Sequence, residues 1–270
     1  MVSGSFEESL EAALGRLAGV GRLRVPDDGV LRRVVEEAAL GLGVDAVDAS
    51  SNDYLGFAGD DVSRETRVQV GAAPLSATPT GAGASRLIHG TRASHLALER
   101  ELASWVRRPS ALLFTSGYAA NVGMLSALAG PGVLVVSDEL NHASIIDGCR
   151  LSRAKVEVTE HLSLNAVRRA LEANEKATEK FVVTESYFSM DGDAPDLQRL
   201  RTLCDEYDAR LMVDEAHALG VFGPEGAGRC VLAGVVPDVL IGTLGKAVGV
   251  QGAFVAGSER LRAVLWNRAR

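Results

Sequence analysis

Short apolar segments recur between residues 110 and 257, and helix-like stretches separate several of them. The segments are continuous runs of aliphatic residues rather than alternations of apolar and polar ones, which is typical of strands buried on both faces of a sheet. The sequence therefore predicts an α/β domain in which helices cover both faces of a mostly parallel sheet. The predicted strands are Ala111–Phe114, Val133–Val136, Val156–Val158, Phe181–Thr184, Leu211–Val213, Val239–Ile241 and Ala253–Ala256.

Helices are expected between these strands and before the first of them, with Ser94 as the N-cap of the first helix. The N-terminal part differs, because residues 6–17 predict an amphipathic helix in an arm formed by residues 1–50. Residues 51–270 are expected to form one large domain. The predicted helices of that domain are residues 94–106, 118–129, 142–151, 164–175, 195–207 and 258–270.

Composition narrows the possible partners. The formal net charge of −7 argues against a nucleic-acid-binding surface, and the sequence has no apolar run long enough for a membrane span. The first ten residues are polar and acidic, unlike a secretory signal. Cys149, Cys204 and Cys230 are far apart, which favours buried thiols in a reducing cytoplasm.

Polar residues follow the predicted strands, at the edge of a parallel sheet where ligands usually bind. Gly117 and Tyr118 open a helix whose backbone N–H groups could hold a phosphate, although simple helix capping explains the same turn. His142 stands at another helix start, where it could stack on a flat ring, act as an acid or base, or be structural.

The acid at the end of the fifth predicted strand is a stronger signal. Asp214 is followed three residues later by His217, and a carboxylate buried at this place needs a charged partner such as a protonated pyridine nitrogen. A metal held by Asp214 and His217 is the alternative, but the sequence offers no third ligand nearby. The acidic loop 185–193 suggests a metal only weakly, because it leads into the next helix.

Lys246 differs from the other three lysines of the chain, because it alone lies among glycines and apolar residues. Desolvation lowers the pKa of an amine and makes it a nucleophile, and flanking glycines let a planar cofactor approach. The Walker phosphate-loop pattern is absent from this stretch. Together, these features match the needs of a pyridoxal 5'-phosphate (PLP) enzyme. They are a turn for the phosphate, His142 to stack on the ring, Asp214 with His217, and Lys246.

These motifs together resemble the α-oxoamine synthases, PLP enzymes of fold-type I that condense an amino acid with an acyl thioester. The resemblance runs through most of residues 50–257. It is carried by the stretches Ser51–Gly56, Gly83–Gly90, Phe114–Asn121, Asn141–Asp147, Phe188–Asp193, Asp214–Gly220 and Gly242–Lys246.

The resemblance implies a role for each matching residue. Lys246 would form the Schiff base with PLP, Asp214 would pair with the pyridine nitrogen, and His217 would contact the phenolic oxygen. His142 would stack on the ring and orient the substrate. The remaining cofactor contacts would be Gly117, Tyr118, Ser189 and Thr243. Arg22 is the expected substrate-binding arginine of the arm, and no metal is expected.

The resemblance also implies small-molecule substrates and a homodimer. The first expectation is decarboxylative condensation of L-alanine with a pimeloyl thioester, carried by coenzyme A or a carrier protein. The alternative is condensation of glycine with an acetyl thioester, or the reaction of another α-oxoamine synthase, and the second alternative is an inactive PLP-fold fragment. Ala227 stands where the family pattern suggests an arginine. Because relatives continue beyond the point equivalent to Arg270, a truncated product lacking a C-terminal domain, with little activity, is expected.

Overall fold

A computed structural model describes residues 15–21, 51–57 and 83–269. The chain divides into two compact units, Met1–Ser51 and Asn52–Arg270. In the first unit residues 15–19 are helical. Most of the predicted arm, including Arg22, lies outside the described residues.

The second unit contains one seven-stranded sheet in the order β1-β7-β6-β5-β4-β2-β3. The five strands from β3 to β6 in this order run parallel, and β7 pairs antiparallel with both β6 and β1. Each of the seven predicted strands is confirmed, as is the mostly parallel sheet. The strands are β1 Ser110–Phe114, β2 Val133–Asp138, β3 Lys155–Thr159, β4 Glu179–Glu185, β5 Arg210–Asp214, β6 Val239–Thr243 and β7 Ala253–Gly257.

The six predicted helices of this unit are also confirmed, with ends that differ by no more than three residues, and a short helix, α6, was not predicted. The predicted N-cap Ser94 is wrong. Helix α1 is capped by Arg92, whose backbone N–H donates to His95 Nδ1 at 2.9 Å. The helices are α1 Ala93–Trp105, α2 Gly117–Leu128, α3 Ala143–Ser152, α4 Leu164–Glu172, α5 Leu197–Glu206, α6 Arg229–Ala233 and α7 Glu259–Arg268.

Both faces of the sheet are covered by apolar side chains, as the continuous runs in the strands predicted. Val182 and Leu211 point into a cluster shared with α1, α4 and α5. Val183 and Met212, their neighbours along the same strands, point into a second cluster shared with α2, α3 and α7. Each such side chain contributes about 1.5–3 kcal/mol when it is fully removed from water, so these two layers fix the sheet between its helices.

The strand order determines which polar residues meet. β4, β5 and β6 are neighbours, and Glu185 pairs directly with Asp214 in the β4–β5 register. Asp214 in turn lies opposite Ile241, two residues before the end of β6. The carboxyl ends of these strands therefore form one edge that carries several of the predicted site residues. Among the described residues, no helix is long and apolar enough to cross a membrane.

Candidate active site

Lys246 and His217 are in direct contact at the carboxyl ends of β5 and β6. Lys246 Nζ lies 2.5 Å from His217 Nε2, and the other ring nitrogen, Nδ1, lies 2.7 Å from the Tyr54 hydroxyl. That hydroxyl donates to Asn52 Oδ1 at 3.0 Å. The structure therefore joins the two predicted residues. It also adds Tyr54, a residue of the Ser51–Gly56 motif to which the sequence assigned no role.

The electrostatics of this pair determine the hydrogen-bond directions. Burial lowers the pKa of Lys246, although the charges of Asp214 and Glu185 oppose the shift. Burial also lowers the pKa of His217 to about 4, reinforced by Lys246 and His142. A neutral His217 accepts from Lys246 at Nε2, so its Nδ1–H donates to Tyr54.

Asp214 is buried, with 5% of its surface exposed. Its Oδ2 accepts a hydrogen bond from Asn121 Nδ2 at 2.7 Å, and its Oδ1 accepts from the Ala216 N–H at 2.9 Å. These two bonds occupy half of the roughly four acceptor positions of a carboxylate. Asp214 can therefore accept another donor from a ligand.

Glu185 is a second buried carboxyl group at this edge, and the sequence analysis gave it no role. Its Oε1 accepts the backbone N–H of His142 at 2.8 Å. Burial, reinforced by the charge of Asp214, raises the pKa of Glu185 to about 7. Two adjacent carboxyl groups at one buried edge favour a positively charged ligand, because the pair cannot both ionise freely without one.

His142 is the N-cap of α3, and its exposed ring lies beside the same edge. Its Nδ1 accepts the Ser144 N–H at 3.2 Å and lies 2.7 Å from Ser144 Oγ. The bond from its backbone to Glu185 connects it to the Asp214 cluster. The structure thus brings His142 together with Asp214, His217 and Lys246, as the strand-end positions predicted.

The predicted phosphate turn lies at the start of α2. Ser116 caps this helix by accepting the Ala119 N–H at 3.1 Å, and an α-helix leaves its first N–H groups without intrahelical partners. Gly117 packs on Thr243, since a Cβ at Gly117 would lie 3.7 Å from the threonine Cβ and Oγ1. Gly117 and Thr243, distant in sequence, therefore share one end of the site.

Two predicted contacts are less closely tied to this cluster. The Tyr118 ring is 51% exposed, and its hydroxyl donates to Asp147 Oδ2 at 3.0 Å. Ser189 is exposed in the loop after β4 and, within the described residues, makes no hydrogen bond to Asp214, His217 or Lys246. Both roles stay predictions, as does that of Arg22.

Glu215 follows Asp214 directly in the chain, and only the structure distinguishes the roles of these two acids. Its buried carboxylate accepts hydrogen bonds from the Cys230 N–H at 2.6 Å, the Arg229 N–H at 3.0 Å and the Ser186 hydroxyl at 2.8 Å. Glu215 therefore caps the start of α6, whereas Asp214, one residue earlier, faces the site. The short helix α6 gave no periodic signal that could have revealed this role.

The residues present fit PLP. A buried carboxylate with acceptor capacity matches a protonated pyridine nitrogen, and a desolvated amine on Lys246 matches covalent attachment. The α2 N-terminus beside Thr243 suits a phosphate. In the described part of the chain, no group of three His, Cys, Asp or Glu side chains is arranged to hold a metal ion. Asp214 and His217 thus find no third ligand there.

Comparisons with known proteins agree with this geometry. The family model for class I and II aminotransferases matches residues 44–270. An 8-amino-7-oxononanoate synthase of Anaeromyxobacter sp. (strain K) is 50% identical over 83% of this chain and 56% of its own length. That of Geotalea daltonii is 41% identical over 98% of this chain and 66% of its own length. The first relatives found are matched over 56–57% of their length, so the chain spans little more than half of them.

Solved structures give the same result. A serine palmitoyltransferase of Sphingomonas wittichii has a TM-score of 0.74 and 30% identity, covering 92% of this chain and 67% of its own. The 8-amino-7-oxononanoate synthase of Francisella tularensis has a TM-score of 0.68 and 27% identity, covering 82% of this chain and 61% of its own. The chain belongs to the class I and II aminotransferase family and, within it, to the α-oxoamine synthases, with 8-amino-7-oxononanoate synthases among its similar relatives.

Proposed function

We propose that this protein uses PLP to condense L-alanine with a pimeloyl thioester, with loss of CO2, to give 8-amino-7-oxononanoate. The observation that carries the proposal is the contact of Lys246 with His217 at the sheet edge that also holds Asp214. The names of relatives that are 41–50% identical support this product. The serine palmitoyltransferase neighbours support the broader class of amino-acid acylation.

Five residues would hold the cofactor. Lys246 would bind it covalently, Asp214 would face the pyridine nitrogen, and His217 the phenolic oxygen. Gly117, at the α2 N-terminus, and Thr243 would bind the phosphate. When bound, PLP supplies an electron sink for the charge left at the α-carbon of an amino acid.

Lys246 Nζ would take the α-proton of the amino acid, because burial lowers its pKa and leaves more of it as the free amine. Asp214 would keep the pyridine nitrogen protonated. His217 would be neutral and would add no positive charge to the site. His142, exposed at the mouth of the site, would orient the substrates. Arg22 would be a substrate-binding arginine of the arm.

The active protein would be a homodimer acting on an amino acid and an acyl thioester. Large apolar side chains are exposed in several of the motifs that carry the family resemblance and in the turn after Lys246, and a second subunit could cover them. They include Tyr54, Leu55, Leu87, Ile88, Met190 and Val250. Light scattering at working concentration should give twice the mass of one chain, and a fully active monomer would contradict this part of the proposal.

Borohydride reduction of the PLP-loaded protein tests the cofactor assignment. Peptide mapping should locate the reduced adduct on Lys246, whereas an adduct on Lys155, Lys176 or Lys180 would overturn this assignment.

Product formation tests the choice of substrates. Turnover with L-alanine and a pimeloyl thioester should exceed turnover with glycine and an acetyl thioester, and the reverse order would favour a glycine C-acetyltransferase.

A further inference from the structure

We propose that Asn121 and Ser144 are positioning residues that hold His142 in a single tautomer, with Nδ1 unprotonated and Nε2–H available to a ligand. Both residues are buried, with about 1% of their surface exposed, and they lie between Asp214 and His142. The catalytic consequence rests on the proposed function. The tautomer itself is a property of the protein alone.

The chain of hydrogen bonds begins at Asp214, which only accepts in this structure. Its Oδ2 receives Asn121 Nδ2–H at 2.7 Å, and the same amide nitrogen donates its second hydrogen to Ser144 Oγ at 3.0 Å. Rotating the amide by half a turn would place Asn121 Oδ1 against the carboxylate, which would be repulsive. Asp214 therefore fixes the direction in which Asn121 donates.

Ser144 transmits this direction to the imidazole. Its Oγ accepts from Asn121, so its own hydroxyl proton is free to be donated, and His142 Nδ1 lies 2.7 Å away. The Ser144 backbone N–H points at the same nitrogen, at 3.2 Å. Because Nδ1 receives two donors, it cannot carry a proton, and the proton of the neutral ring lies on Nε2.

The position of His142 is fixed at the same time as its tautomer. Its backbone N–H donates to Glu185 Oε1 at 2.8 Å, and its Nδ1 caps α3 through the Ser144 N–H. Only Nε2 is left for a ligand, and it is presented as a donor. Substrates of the proposed reaction carry carbonyl and carboxylate oxygens, which are acceptors, so the wrong tautomer would place an acceptor against them.

The tautomer can be measured without PLP. In the full chain labelled with 15N-histidine, two-bond nitrogen–proton correlations should show His142 with a protonated Nε2 and a hydrogen-bonded, unprotonated Nδ1. Ser144→Ala removes one of the two donors to Nδ1, and Asn121→Ala removes the bond that orients the Ser144 hydroxyl. Each should therefore move the 15N shift of Nδ1 part of the way towards that of a free imidazole exchanging between tautomers. Ser144→Thr keeps the hydroxyl and should retain the wild-type spectrum. Thermal midpoints confirm that each variant is folded.

The PLP-loaded protein gives the catalytic readout. Loss of one ordered donor should slow exchange of the alanine α-proton about tenfold in Ser144→Ala, and Ser144→Thr should restore the rate. Ser126→Ala, an exposed serine on the same helix as Asn121, is the control and should change neither measurement.

The two measurements separate the possible failures. An Nδ1 that carries the proton in the wild-type chain, or an imidazole spectrum that Ser144→Ala and Asn121→Ala both leave unchanged, overturns the proposal whatever PLP does. Failure of the protein to bind PLP would instead overturn the proposed function. The spectrum would then still decide whether Asn121 and Ser144 set the tautomer.

Discussion

His217 and His161 lie in two regions of the same sheet edge and have opposite electrostatic environments. His217 is buried beside the Lys246 amine, and its pKa is lowered to about 4. His161 lies between two carboxylates, 2.8 Å from Asp138 and 3.1 Å from Asp193, and their hydrogen bonds raise its pKa despite some burial.

The opposite pKa shifts show that the charge of neighbouring groups, together with burial, sets what each histidine can do. A neutral imidazole beside an amine can accept a hydrogen bond and contact a cofactor oxygen. An imidazole that contacts two acids bridges them, and His161 connects the end of β2 to the loop after β4. Its ring also contacts Phe188 edge-on, with centroids 4.5 Å apart. The first region carries the proposed chemistry, and the second connects a loop to the sheet.

Lys246→Ala should have the largest effect, because it removes the amine that contacts His217. Removing the amine should slow alanine α-proton exchange by about 10³-fold or more, because the covalent anchor and the base are lost together. The pKa of His217 should rise from about 4 but stay below its ordinary value, because burial is the larger cause. Exchange rates and an NMR titration of His217 measure the two effects. A His217 pKa that does not move would contradict the assigned contact.

Asp214→Asn should have the next largest effect. The neutral amide cannot hold a pyridine nitrogen protonated, so α-proton exchange should slow by about 10²- to 10³-fold, whereas PLP binding should weaken less. Asp208→Asn changes an exposed acid that accepts a hydrogen bond from Arg210 at the start of β5, the opposite end of the strand from Asp214, and it serves as the control. A normal exchange rate in Asp214→Asn would refute the role given to Asp214.

Glu185→Gln should change how the free energy of unfolding depends on pH. Because the pKa of Glu185 rises from 4.5 to about 7 on folding, its effect favours the folded state below pH 4.5 and is lost as the pH rises towards 7. The difference corresponds to about 3 kcal/mol, as an order of magnitude. Glu185→Gln should therefore gain stability relative to wild type between these pH values.

Urea unfolding of the protein without PLP measures this gain. Glu160→Gln, an exposed glutamate near β3, is the matched control and should follow wild type. A constant difference between Glu185→Gln and wild type over the whole range would mean that Glu185 is not the titrating group.

His161→Gln should give the smallest effect. Since the pKa of His161 is raised in the folded state, its ion pairs stabilise the protein below the unfolded pKa and lose this effect as the pH rises through the folded value. A partly exposed pair of this kind contributes about 0.2–1 kcal/mol. The loss should be seen near pH 5.5 and fade near pH 9, with the exposed His89→Gln as the control. An equal loss at both pH values would indicate a packing role instead.

The sequence alone determined the sheet and the residues that carry the proposed chemistry. The continuous apolar runs predicted all seven strands, because strands buried on both faces are apolar along their length and the runs, rich in β-branched residues, are too short for helices. The polar residues after those runs included Asp214, His217 and Lys246, because the carboxyl ends of parallel strands meet at one edge. The homodimer and the cytoplasmic location stay predictions.

Only the tertiary structure decided how the buried polar groups pair. Glu185 and Glu215 are both glutamates that follow predicted strands. Glu185 accepts the backbone N–H of His142, whereas Glu215 caps α6. Asn121 donates a hydrogen bond to Asp214, although the two residues are 93 positions apart in the chain. Such pairings depend on the helix positions over the sheet and on the strand order. Apolar periodicity reports which face of an element is buried, but it carries no information about which distant residue lies opposite.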